Sequence, residues 1–162
     1  MQGPSEAVVR AWAGLVLAQR AATSGVEADL KRAGLPPLPW YDVLYGLRRA
    51  RGGRLTPREL EGEILLEQYN LSRLLDRMEA EGLVRRIPYP GDKRRQLVAI
   101  TPHGRAMHKR MWPVYAAAIE RHVGSRITPR EGEALAEILN KLLAGTGREV
   151  RPPETRARPT RG

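Results

Sequence analysis

Between Gln68 and Arg95 the chain concentrates side chains suited to recognising a polyanion. Projected on an α-helix, the stretch from Gln68 to Gly82 puts Leu71, Leu74, Leu75 and Met78 on one side. Tyr69, Ser72, Arg73, Asp76 and Arg77 fall on the other. Arginine can pair bidentately with guanine O6 and N7, and asparagine or glutamine with adenine; serine and tyrosine can reach phosphate or a base edge. Gln68, Tyr69, Asn70, Ser72 and Arg73 are therefore assigned to the groove-facing first turns of a helix, and Arg77 to a backbone phosphate or a more distal base. A solvated helix face would show the same residues, and the next segment weighs against that reading. From Arg85 to Arg95 five bases stand against one acid, a net +4, with Lys93, Arg94 and Arg95 consecutive. A hairpin tip so charged repels itself unless an anion is near. An arginine there suits the narrow minor groove of duplex DNA. Asp92 is out of place against phosphate, so it is expected to accept hydrogen bonds from Arg94 or another tip arginine and set its direction.

Catalysis finds little support. The histidines are His103, His108 and His122, no two at the spacing of a helical zinc motif, and a surface or interface position is expected for each. Most acidic residues are expected on helix surfaces as Glu–Arg neighbours. With no cysteine, thiol nucleophiles, cysteine metal clusters and disulfides are excluded. No glycine-rich phosphate loop or nucleophile elbow is present. No catalytic residue, metal ligand or cofactor is assigned.

Proline placement divides the chain into the elements that must position the basic segment. Val8, Trp12 and Leu15 lie along a first helix, and a second short stretch runs from Val26 to Ala33 and stops at Gly34. Trp40, Val43, Leu44 and Leu47 mark the next helix. Thr56-Pro57-Arg58-Glu59 and Thr128-Pro129-Arg130-Glu131 are capping boxes that open two others. After Gly82 the period shortens: Leu83 to Ile87 and Gln96 to Ile100 read as antiparallel strands around an exposed turn, Pro88 to Asp92. Helical spacing returns after Thr101, with a kink expected at Pro113, and a last helix carries Leu135, Ile138, Leu139, Leu142 and Leu143. The expected fold is mainly α with a small β hairpin, a winged helix-turn-helix flanked by N- and C-terminal dimerisation helices. Its divisions are 1–35 for the N-terminal dimerisation region, 36–101 for the DNA-binding domain, 102–145 for the C-terminal dimerisation helices and 146–162 for a disordered basic tail.

The 162 residues carry a net charge of +10, which favours a polyanionic partner through counterion release; composition alone does not separate DNA from RNA or an anionic membrane. No apolar stretch approaches the ~20 residues that span a bilayer, so no transmembrane helix is expected; the protein is read as soluble and cytoplasmic, and no membrane partner is assigned.

The segments Leu71-Ser72-Arg73-Leu74-Leu75-Asp76-Arg77-Met78-Glu79, Glu81-Gly82-Leu83-Val84-Arg85-Arg86 and Gly91-Asp92-Lys93-Arg94-Arg95 resemble those of the multiple antibiotic resistance regulator (MarR) family, over about residues 38 to 105. The resemblance implies a bacterial, nucleoid-associated homodimer on a pseudo-palindromic double-stranded DNA operator, most often a ligand-responsive repressor. In it the fourth helix enters the major groove and a wing arginine the minor groove. Arg73, Arg77, Asp92 and Arg94 match the family's recognition-helix and wing positions. Two positions depart: Leu65 stands where many members have a turn glycine, so a tight or helical turn is expected, and Glu67 stands where many have a capping serine. A winged-helix module that binds protein or structured RNA without sequence selection is the alternative.

The flanking helices are more apolar than a small winged domain needs, which favours a symmetric dimer. The resemblance further implies a small aromatic or phenolic effector. Trp12, Trp40, Tyr41, Tyr45, Trp112 and Tyr115 could line its crevice, and Arg10 could meet a carboxylate.

Overall fold

The computed structural model describes residues 3–65 and 70–150. Glu67, Gln68 and Tyr69, and the tail from 151 to 162, lie outside the described residues. The chain forms two compact units, one ending at Val123 and one beginning at Gly124.

In the first unit, α1 (Glu6–Arg32) is one helix where two stretches were expected. No proline interrupts it, and Gly25 lets another helix come close: a Cβ there would lie 2.5 Å from the His122 ring. Ser5 caps its start, and Gly34, at φ +67°, follows its end. α2 (Leu38–Arg49) buries Leu38, Tyr41, Val43, Leu44 and Leu47. After a turn of 3₁₀ helix comes β1 (Arg54–Leu55), a strand absent from the sequence reading. Two residues carry no legible alternation. They pair only because Arg54 meets Ala99 and Leu55 meets Val98 across more than forty residues of chain. Thr56 opens α3 (Pro57–Glu63) with both hydrogen bonds of its capping box.

Next come α4 (Leu71–Ala80), β2 (Val84–Tyr89), β3 (Asp92–Ile100) and α5 (Pro102–His122), with Pro113 inside α5. The sheet is antiparallel in the order β1-β3-β2. Both hairpin strands run further than expected, and the turn shrinks to Pro90 and Gly91, the glycine at φ +81°. The irregularity moves into β3: Pro88 pairs with Gln96 and Tyr89 with Asp92, so Lys93, Arg94 and Arg95 form a bulge with no residue opposite.

The core joins Leu44 and Leu47 of α2, Leu60 of α3, Leu75 and Met78 of α4, Val98 of β3 and Met111 of α5. Truncating one such leucine to alanine costs about 2–5 kcal/mol. Two acids, Asp29 and Asp42, are exceptions to the mostly surface placement of the acids, and each has donors to meet inside. Asp29 accepts from Arg32, Arg121 and His122 and so ties α1 to α5, and Asp42 of α2 accepts a backbone N–H. His108 is also buried, not at the surface, because its ring stacks on Tyr41.

In the second unit, Thr128 opens α6 (Pro129–Leu143) with a complete capping box. Leu135, Ile138 and Leu142 are exposed along it. Residues 146–150, expected to be tail, turn back on the helix, and Val150 exchanges two backbone hydrogen bonds with the Asn140 side chain. Among the described residues no helix is long and apolar enough to cross a membrane.

Candidate nucleic-acid interface

Asn70 precedes α4, and its Oδ1 accepts the Arg73 N–H at 3.2 Å. The helix therefore begins at Leu71, later than the projection from Gln68 assumed, with Asn70 as its N-cap. Leu74, Leu75 and Met78 face the core, while Ser72, Arg73, Asp76 and Arg77 are exposed.

The second basic segment is the hairpin. Asp92 Oδ1 accepts the backbone N–H of Arg94 at 3.0 Å and lies 3.7 Å from Arg94 Nε. The Arg94 side chain is 94% exposed, so the carboxylate orients it without covering it. Lys93 beside it is exposed as well. Arg95 has a different partner: its guanidinium lies 4.2 Å from the centre of the Tyr89 ring, a cation–π contact across the hairpin. Tyr89 was not singled out in the sequence, since the bulge that brings position 95 over it cannot be read from alternation.

Helix and hairpin are joined by Arg86, which sequence reasoning counted only as charge. From β2 its guanidinium reaches Asp76 at 2.7 Å, Glu79 at 3.1 Å and the Ser72 carbonyl at 3.4 Å, and its backbone N–H donates to Glu79 at 2.7 Å. Burial works against its charge, but the hydrogen bonds with Asp76 and Glu79 outweigh this and hold its pKa above the usual value. Arg86 consumes two of the acids near the interface. Arg73, Arg77, Lys93, Arg94 and Arg95 are exposed charges near it.

A second assembly lies between α2 and α5. Tyr41 stacks on His108 at 4.8 Å and on Tyr45 at 5.9 Å, lies 6.1 Å from Trp112, and meets Tyr115 edge-on at 4.8 Å. Trp40 packs against the same core. Burial raises the pKa of Tyr41 and pushes Tyr115 up to about 12. Burial, with Arg48 nearby, lowers His108 to about 4, so its ring is neutral. His108 Nε2 is buried without a hydrogen-bond partner among the described residues. Of the remaining aromatic-site candidates, Arg10 pairs with Glu6 on the exposed start of α1, and Trp12 is 67% exposed. The cations beside the rings are Arg48 and Arg49, 6.0 Å and 5.3 Å from the centre of Tyr45. Arg48 and Arg49 lie three and four residues after Tyr45 on α2, a spacing the sequence offered, whereas His108 joins the rings only through the folding of α5 onto α2.

Comparison with known proteins gives the same picture. The model of the MarR family matches residues 33–95. The multiple antibiotic resistance protein MarR of Salmonella typhimurium is 32% identical over 103 residues, which cover 64% of this chain and 70% of that protein. The HTH-type transcriptional regulator PecS of Dickeya dadantii is 32% identical over 63% of this chain and 61% of its own. A MarR family transcriptional regulator from Streptomyces coelicolor, solved in complex with DNA, superposes with a TM-score of 0.81 at 26% identity, over 91% of this chain and 92% of that one.

Proposed function

The chain belongs to the MarR family of transcriptional regulators, and from that premise we propose that it is a homodimeric, ligand-responsive repressor of the bacterial cytoplasm acting on a pseudo-palindromic DNA operator. Residues 36–101 form the DNA-binding domain, and the helices within 1–35 and 102–145 form the dimer. Arg73, with Ser72, Asn70 and the neighbouring Gln68 and Tyr69, reads bases in the major groove. Arg77 meets phosphate, and Arg94 with Lys93 follows the adjacent minor groove. Arg95, held on Tyr89, stiffens the wing and adds positive potential. No chemical step is assigned to the protein.

The observation that carries this reading is Arg86. It binds α4 to β2 at three acceptors, which supports reading the basic helix face and the basic hairpin as parts of one surface. A repressor of this kind contacts two half-sites about 34–36 Å apart, which calls for a dimer. The exposed apolar residues of α1 and α6 supply surface for one.

The Tyr41, Tyr45, Trp112 and Tyr115 group is the reading for a small aromatic or phenolic effector. What supports it is the unpaired His108 Nε2 among the rings, with Arg48 and Arg49 close enough to meet an acidic substituent. Regulation then requires the effector to bind one spacing of the two DNA-binding domains better than the other.

The test is competition binding at fixed salt with a pseudo-palindromic duplex selected from a random library, a random duplex and a single strand. The selected duplex is expected to win by at least about a hundredfold. Equal competition by all three would remove the regulator reading.

A further inference from the structure

α3 ends at Glu63, Ile64 turns its side chain into the core, and Leu65 points its own outward, 65% exposed. That reversal directs the Leu65 backbone N–H inward, onto Asp42 Oδ2 at 3.0 Å. Asp42 stands on α2 and is 4% exposed. Packing of α3 on α2 is tight one turn further on, where a Cβ at Gly46 would lie 2.9 Å from the Glu63 side chain. One buried carboxylate thus holds Leu65, the residue at which the chain leaves α3 toward α4. Leu65 does not adopt a left-handed conformation, and the backbone there is held by this hydrogen bond.

We propose that Asp42 is a positioning residue for DNA binding, whose ionised carboxylate anchors the turn before α4 and whose protonation loosens that anchor. The proposal rests on the reading of α4 as the DNA-contacting helix. A charge-assisted hydrogen bond is roughly twice as strong as a neutral one, so protonation weakens the hold without breaking the fold.

The surroundings make that proton easy to gain. Glu27 faces Asp42 from α1, Tyr115 from α5, Tyr41 from α2 itself, and Glu63 packs on α2 from α3; these groups are acidic or phenolic. Burial, followed by Glu27, raises the carboxyl to about 7 against the opposing pull of the Leu65 N–H. His108 on α5, lowered to about 4, stays neutral through the same range and does not contribute to it.

The test compares wild type with Asp42→Asn, which keeps the acceptor oxygen and the volume but cannot ionise. Affinity for a pseudo-palindromic duplex selected at pH 8 is measured from pH 8 to pH 6 at fixed salt. Wild type is expected to weaken by about fivefold with a midpoint near 7, on the scale of a charge-assisted bond reduced to a neutral one. The Asp42→Asn variant should bind at pH 8 as weakly as wild type does at pH 6, and change less than about twofold over the range. A wild-type affinity flat with pH, a variant equal to wild type at pH 8, or two parallel profiles would each overturn the proposal. The Leu65 amide resonance of wild type without DNA gives a separate reading. It should shift with the same midpoint, and an amide that does not titrate also overturns the assignment. If wild type shows no preference for the selected duplex, the DNA reading fails, while the amide titration still decides whether Asp42 holds the turn.

Discussion

Among single residues, the exposed arginines divide by what surrounds them. Arg73 sits on the first turn of α4 with its backbone held by Asn70, which gives its side chain a fixed origin. Arg73→Ala is expected to cost about 1–3 kcal/mol on the selected duplex and much less on random duplex, because a base contact is lost. Arg94 is steered by Asp92 but open to solvent, so Arg94→Ala should weaken both duplexes alike and reduce the salt slope by about one. Fluorescence anisotropy at several salt concentrations separates the two outcomes. His108 makes a prediction for the fold itself. Its folded pKa, about 4, lies below the ordinary 6.5, so the unfolded chain binds the extra proton between those values. The stability that this neutral ring contributes is therefore complete above about 6.5 and is lost as pH falls toward 4. His108→Phe, which keeps the stacking, should flatten that part of the stability–pH curve in urea titrations.

At the scale of elements, the close approaches matter more than the helices' own propensities. Gly104 lies in the first turn of α5, and a Cβ there would fall 2.1 Å from the Leu83 carbonyl oxygen. Backbone cannot move aside as a side chain can, so Gly104→Ala should destabilise by about 2–3 kcal/mol, read as a lower midpoint in thermal melts. Much of the frame was legible in the sequence for local reasons. Thr56 and Thr128 each announce a helix through residues within one turn, and the leucine spacing of α4 needs only its own segment. What stayed hidden depends on contacts distant along the chain. β1 exists through its pairing with β3, Asp29 is buried because two residues of α5 meet it, and the bulge at Lys93 to Arg95 follows from the register of β2. The same division runs through the candidate interface. Arg73 and Arg94 could be named from their spacing, whereas Arg86 and Asp42 could not, since their partners lie on other elements.

For the whole molecule, the decisive quantity is the distance between two DNA-binding domains, which one chain cannot set alone. Val8, Trp12 and Leu17 are exposed on α1, and Leu135, Ile138 and Leu142 on α6. Side chains this large contribute about 1.5–3 kcal/mol each when covered, so several in contact with a second copy outweigh much of the entropy of association. A charge at one of them reverses that balance, because an unpaired carboxylate at an apolar interface must be desolvated. Ile138→Glu lies on the exposed side of its helix and should leave the fold of each chain intact, with an unchanged circular dichroism spectrum. Sedimentation equilibrium should then report monomers at concentrations where wild type is dimeric. Affinity for the selected duplex should fall by about two orders of magnitude or more, since each half-site is then bound separately, while affinity for random duplex should fall far less. A variant that remains dimeric, or a monomer that binds the selected duplex as tightly as wild type, would show that α6 does not set the spacing of the two half-site contacts.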